Sequence, residues 1–254
     1  PKKYISALVS EDCWQATPGK VVDLVRNLGI AAGGTVMEDC RVLEACREGK
    51  YTSVLVQTHD KKYVEYRTEH FVNALGSGAG KLCDSMGIDA GLYPVRHQAF
   101  ITRRLPMLGK HGTNLDMLID RQDYKGFSAV YGQQIAYTGQ IIGCASPKLD
   151  AMRIDKNLKV NTKAFLEIVS EMFSEWIPDL AGVGIQAVWA GYYTEPRYIV
   201  DPELGLFVGM RGHGFMLSQY IARMYVDKLL GRPVPEYFEK LKLNGPGLSE
   251  KAFK

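Results

Sequence analysis

Residues 205–220, Gly-Leu-Phe-Val-Gly-Met-Arg-Gly-His-Gly-Phe-Met-Leu-Ser-Gln-Tyr, constrain this chain more than any other stretch. The apolar run Leu206 to Val208 predicts a short strand. Gly209, Gly212 and Gly214 predict a turn in which backbone can press against a ligand, and residues 215–230 predict a helix. Strand, glycine turn and helix in that order make a ligand cradle. The first N–H groups of a helix lack intrahelical partners, and the positive end of its dipole favours an anionic or carbonyl oxygen lying over the turn. Arg211 and His213 add polar reach there. An ordinary strand-to-helix crossover can carry the same glycines, so the rest of the chain has to decide.

Composition removes several classes of function. With 254 residues, 46% of them hydrophobic, the chain can bury a sizeable core in one large or two modest domains. The 31 Lys and Arg against 28 Asp and Glu leave a net charge of only +3, which predicts neither nucleic acid nor an acidic membrane surface as partner. Five cysteines, an odd number with no Cys-x-x-Cys pair, argue against a zinc site or a disulfide framework and for a reducing compartment. No apolar run reaches membrane-spanning length, and the start Pro-Lys-Lys-Tyr lacks the hydrophobic stretch of a signal peptide, so a cytoplasmic location is expected.

Taken in order, Thr17-Pro18 predicts a helix start whose apolar face is Val21, Val22, Leu24, Val25 and Leu28, with Gly29 as its stop. Residues 41–46, 52–57 and 62–66 alternate with period two and predict a three-stranded antiparallel meander. A buried strand is expected over residues 71–75, opening through Gly76, Gly78 and Gly80 into a helix over 81–86. Nucleotide motifs fail there on spacing. A phosphate-binding loop needs glycine and Ser or Thr where Leu75 and Leu82 stand, and a G-x-G-x-x-G needs glycine at Lys81. What survives is a second close backbone approach, at Gly76 and Gly78. Strand-rich stretches over 94–104 and 115–143, with turns at 109–110 and 125–126, predict a second, mostly antiparallel sheet. Asn161-Thr162 predicts the cap of a helix through Trp176, and strands return over 184–189 and 197–200.

Several of these segments together resemble the FAD-dependent D-amino-acid oxidase, glycine oxidase and sarcosine oxidase superfamily. Asp12-Cys-Trp-Gln-Ala-Thr-Pro18 resembles the segment after its first cofactor half, and Val42 within Cys40-Arg-Val-Leu-Glu44 the strand that touches adenine. Phe71-Val-Asn-Ala-Leu-Gly-Ser-Gly-Ala79 is similar to the family's VNAAGAWA, and Pro94-Val-Arg-His-Gln98 to its PVRGQ. Trp189-Ala-Gly191 and Gly209-Met-Arg-Gly-His-Gly-Phe215 look like its closing motifs. The resemblance implies an α/β fold of a partial FAD-binding domain (residues 1–91 and 201–231), a substrate domain (92–200) and a C-terminal tail (232–254). It implies non-covalent FAD against Val42, Ala74, Gly76, Gly78, Gly209, Arg211, Gly212, His213, Gly214, Phe215 and Met216.

Departures from the pattern set the remaining expectations. The G-x-G-x-x-G turn that opens the family is absent, so the chain is expected to be the C-terminal part of such an enzyme, a split subunit or a fragment, and to bind FAD poorly alone. A second chain carrying the dinucleotide-binding half is the expected partner, in a hetero-oligomer. Tyr192 and Tyr193 stand where glycine oxidase-like members grip the substrate carboxylate with arginine, and Met216 where the sarcosine branch has lysine. Arg211 is then the replacement cation for a small amine or amino-acid substrate, with Tyr192, Tyr193 and His97 on the substrate side. No lysine near Ile141 and no cysteine near Ala190 or Gly191 imply non-covalent flavin and a dehydrogenase rather than an oxidase. A non-catalytic scaffold that kept the fold is the competing reading.

Overall fold

The computed structural model describes residues 9–10, 14–108, 115–121, 127–135, 138–147 and 162–247. The readings that fall on the turns at 109–110 and 125–126, on Asn161 and on residues 12–13 lie outside them. The described residues form two compact units, one holding those from 93 to 194 and the other those on either side.

The 93–194 unit is a sheet backed by one helix. Its strands are β4 (Tyr93–Thr102), β5 (Leu118–Asp120), β6 (Phe127–Ile135), β7 (Gln140–Pro147) and β8 (Ile185–Glu195), in the order β5-β6-β7-β4-β8. The β5-β6, β6-β7 and β7-β4 pairs are antiparallel. Helix α3 (Thr162–Trp176) buries Phe165, Ile168, Val169, Met172 and Phe173, spaced three or four apart, against Phe100, Val130, Ile141 and Ala145. Two strand glycines admit the rings. A Cβ on Gly132 would lie 2.6 Å from Phe173 Cζ, and one on Gly143 2.4 Å from Phe100 Cζ. Phe100 and Phe173 meet edge to face, their centroids 5.3 Å apart.

Because successive strand residues face opposite ways, the partners left off the α3 face share the other one. Tyr131 on β6 registers with Cys144 on β7, and Cys144 with Ala99 on β4. His97 lies two residues before Ala99, on the same face.

In the other unit α1 (Pro18–Ala31) starts where Thr17-Pro18 predicts, but the Thr17 hydroxyl makes no capping bond, and the helix runs through Gly29. None of its residues is buried. Strands β1 (Arg41–Glu48), β2 (Tyr51–Gln57) and β3 (Tyr63–Thr68) form the antiparallel meander, with a bulge between Val42 and Glu44. Helix α2 (Ala79–Ser85), strands β9 (Ile199–Asp201) and β10 (Leu206–Val208) and helix α4 (Gly214–Leu229) complete the regular elements. The β9-β10 pair is covered on both faces. Ile199, Leu206 and Val208 pack with Ala79 and Cys83 of α2, whereas Tyr198 and Val200 pack with Ile221, Met224 and Tyr225 of α4.

Residues 71–75 do not form the expected buried strand. Their one ladder contact is a parallel bridge from Asn73 to Leu206, and Val72 and Leu75 are exposed. The apolar run misled because only its middle residue joins a ladder, while Phe71 packs against the cluster of Ala45, Val54, Val56 and Leu82. The fold class is corrected as well. A unit with its own cores and an antiparallel sheet unit are both present on this chain, not the C-terminal part alone.

Candidate functional site

Two extended segments run side by side and in parallel through Asn73 and Leu206. The Asn73 amide donates to the Gly205 carbonyl at 2.8 Å, and the Phe207 amide to the Asn73 carbonyl at 3.0 Å. Each segment then ends in a glycine-bearing 3₁₀ turn, Gly76–Gly78 or Arg211–His213, that leads straight into a helix, α2 or α4. Crevices at the carboxyl ends of adjacent parallel segments, faced by helix N-termini, are where open α/β folds bind nucleotide cofactors.

Asn73 locks the first turn. It is buried, its Nδ2 donates to the Ala79 carbonyl at 3.0 Å, and its Oδ1 accepts from the Leu75 amide at 3.2 Å. Gly76 holds a left-handed φ of 55°, and nothing lies within 4 Å of where its Cβ would be. Only the Leu75 Cβ, at 3.8 Å, stands near the corresponding point on Gly78. This backbone is open to an approaching ligand, as a flavin cofactor requires.

The second turn is more constrained from within. A Cβ on Gly209, φ 71°, would fall 1.9 Å from the Arg197 carbonyl oxygen, so that glycine serves the fold itself. A Cβ on Gly214 would sit 2.9 Å from Met210 Cβ. Arg211 adopts a left-handed φ of 49°, which an L side chain rarely takes. Its Nε donates to Glu195 Oε2 at 2.6 Å, with both side chains largely buried. His213 Nδ1 and Tyr198 Oη lie 2.6 Å apart, tying the turn to the start of β9. Phe215 and Met216 on α4 are exposed, as is Ala74. Val42 packs on a cluster with Phe71, Leu82 and Met86 in the same unit.

In the sheet unit, His97 stacks on Tyr193 with ring centroids 3.7 Å apart and planes at 28°. The Tyr193 hydroxyl is 3.3 Å from that of Tyr131. Burial, with help from the neighbouring Cys144 and Tyr193, holds the Tyr131 phenol far above its ordinary range, so it stays protonated and can donate. Burial also raises the Cys144 thiol. Tyr192, the preceding residue of the same strand, projects from the other face. Sequence reasoning missed Tyr131 and Glu195. The signal for Tyr131 was the alternation of β6, but no motif singled it out; Glu195 stands 16 residues from its partner, with nothing local to announce it.

The sequence profile of the DAO family, FAD dependent oxidoreductase, matches residues 1–228, and the chain belongs to that family. The L-proline dehydrogenase of P. horikoshii superposes with a TM-score of 0.71 at 24% identity, over 89% of this chain and 59% of that one. The glycine oxidase of Geobacillus kaustophilus gives 0.61 at 17% identity, over 85% and 54%. The iminodiacetate oxidase of Chelativorans sp. BNC1 gives 0.66 at 15%, over 90% and 58%. The chain thus spans a little under three fifths of the length of these solved relatives. Comparison with curated protein sequences gives no match.

These matches overturn the expected split. The profile runs from residue 1 through both units, and the solved relatives cover 85–90% of this chain. Nothing in them calls for a second chain carrying the cofactor-binding half, so the reading as a partial subunit and the hetero-oligomeric partner are withdrawn. Among the described residues no helix is long and apolar enough to cross a membrane.

Proposed function

We propose that this chain oxidises the C–N bond of a small amine or amino acid, using non-covalent FAD and passing electrons to an acceptor other than oxygen. The observation that supports it most is the pair of glycine turns at the carboxyl ends of parallel segments, in a chain of the FAD dependent oxidoreductase family. FAD, when bound, supplies the hydride acceptor. Gly76 and Gly78 on one side and residues 209–216 on the other are assigned to hold it, with Val42 and Ala74 in support. The N-terminus of α4 sets fixed donors and a positive dipole end towards whatever oxygen lies on the turn.

Arg211 is assigned to the substrate carboxylate. Glu195 engages its Nε and so fixes the plane of the guanidinium, the group that can meet a carboxylate in a bidentate contact. On the sheet, burial keeps the Tyr131 phenol protonated, its hydroxyl lies 3.3 Å from that of Tyr193, and the His97 ring stacks on Tyr193. Hydride loss from an amine needs no strong protein base, which agrees with a polar face of phenols rather than carboxylates. An amino-acid substrate is supported by the names of the relatives, because proline, glycine and iminodiacetate each join an amine to a carboxylate. A dehydrogenase is supported by Ile141, which is fully buried and apolar where the sarcosine branch carries lysine nearby.

The test is a dye-linked assay of the FAD-loaded protein against L-proline, sarcosine, glycine and D-amino acids, with peroxide measured in parallel. The proposal expects dye reduction by at least one amino acid with little peroxide, and flavin freed by acid precipitation. Peroxide formation at the rate of substrate loss would contradict the acceptor assignment, and flavin remaining on the precipitate would contradict non-covalent binding.

A further inference from the structure

At the far end of α4 from its glycine turn the same unit holds a cavity of about 220 Å³. Leu229, on its wall, lies about 22 Å along the helix from Gly214 by helical rise. Its polar lining is Arg47, Lys50, Thr52, Glu69, His70 and Tyr225. Lys50 and Glu69 neutralise each other in an ion pair of 2.8 Å. Arg47 donates to the carbonyl of Glu203, a neutral acceptor, and meets no carboxylate among the described residues. The lining therefore carries one uncompensated positive charge.

Tyr225 supplies the second observation. It is only 4% exposed, and its hydroxyl is buried with no hydrogen-bond partner. The nearby Asp201 carboxylate accepts from the amides of Glu203, Leu204 and Leu243 and makes no hydrogen bond to this hydroxyl. A buried donor without an acceptor is rare in folded proteins and marks an absent partner. A cation with four of its five N–H groups uncommitted stands beside it, close enough to pull on the phenol's titration. A water molecule would satisfy the hydroxyl and leave the charge uncompensated. The C-terminal end of α4 adds about half a negative charge, less than the arginine's full positive one.

We propose that this cavity binds a small oxyanion, a carboxylate or phosphate group, held by the Arg47 guanidinium and the Tyr225 hydroxyl. The site is separate from the cofactor cradle and does not depend on the redox assignment.

The test is calorimetric titration of the full chain with inorganic phosphate and, separately, acetate, at ionic strength held constant with chloride. One saturable site is expected for at least one of them, weakened about tenfold or more by Arg47→Gln and by Tyr225→Phe, each with an unchanged circular dichroism spectrum. Phosphate alone binding would assign a phosphate-bearing ligand, and acetate alone a carboxylate. Gly76→Ala should leave the titration unaltered. No saturable binding of either anion, binding that both variants leave intact, or binding lost in Gly76→Ala would each overturn the proposal.

Discussion

Arg211 and Gly209 sit two residues apart in left-handed backbone, for different reasons. At Gly209 the Arg197 carbonyl occupies the space of a Cβ, so Gly209→Ala should cost about 3 kcal/mol or more and show as a large fall in Tm or loss of soluble protein. Gly76 has the same sign of φ but empty space beside it. Gly76→Ala should cost only about 1–2 kcal/mol of stability while weakening FAD binding much more, read as flavin content per folded chain. Equal effects on folding and flavin would remove Gly76 from the cradle. Arg211 tolerates its conformation because Glu195 holds it. If it also grips the substrate carboxylate, Arg211→Met should raise KM by about a hundredfold with flavin content intact, since a substrate charge is left unpaired. A fall in Tm with KM unchanged would leave only the structural pair. At this scale the glycines and Arg211 were legible because turn chemistry is local. Tyr131 and Glu195 were not, because their partners lie 62 and 16 residues away.

The elements were most legible where one face alone is buried. Alternation located the meander, and spacing of three and four located α3 with its five buried residues. Periodicity failed where burial depends on distant chain. Residues 71–75 read as a continuous strand, yet only Asn73 joins a ladder, and α1 has an amphipathic pattern whose apolar face is exposed. The helix α4 carries a testable titration. Burial against its neighbours, then Asp201, push the Tyr225 phenol up to about 12, with Arg47 opposing. An unfolded tyrosine ionises near its ordinary value of about 10, so between pH 10 and 12 the unfolded state binds fewer protons than the folded one. Stability should therefore be unaffected by this group below pH 10 and fall by about 2 kcal/mol as pH rises to 12. Urea unfolding at both ends of that window should show a smaller loss in Tyr225→Phe; an identical loss would mean that the phenol is not held in its neutral form.

At the scale of the whole molecule, the cofactor-type unit is discontinuous in sequence, with the sheet unit inserted between its halves. That arrangement explains why its parallel bridge joins residues as distant in sequence as 73 and 206. The order of motifs carried the family assignment, and the profile match over residues 1–228 agrees with it. The central claim is that this unit holds FAD in a state an amino acid can reduce. Anaerobic titration of the FAD-reconstituted protein with L-proline, sarcosine and glycine, followed by the flavin absorbance, tests it most directly. The account predicts stoichiometric bleaching by at least one of them. A protein that binds FAD fully and is bleached by dithionite but by no amine would contradict it.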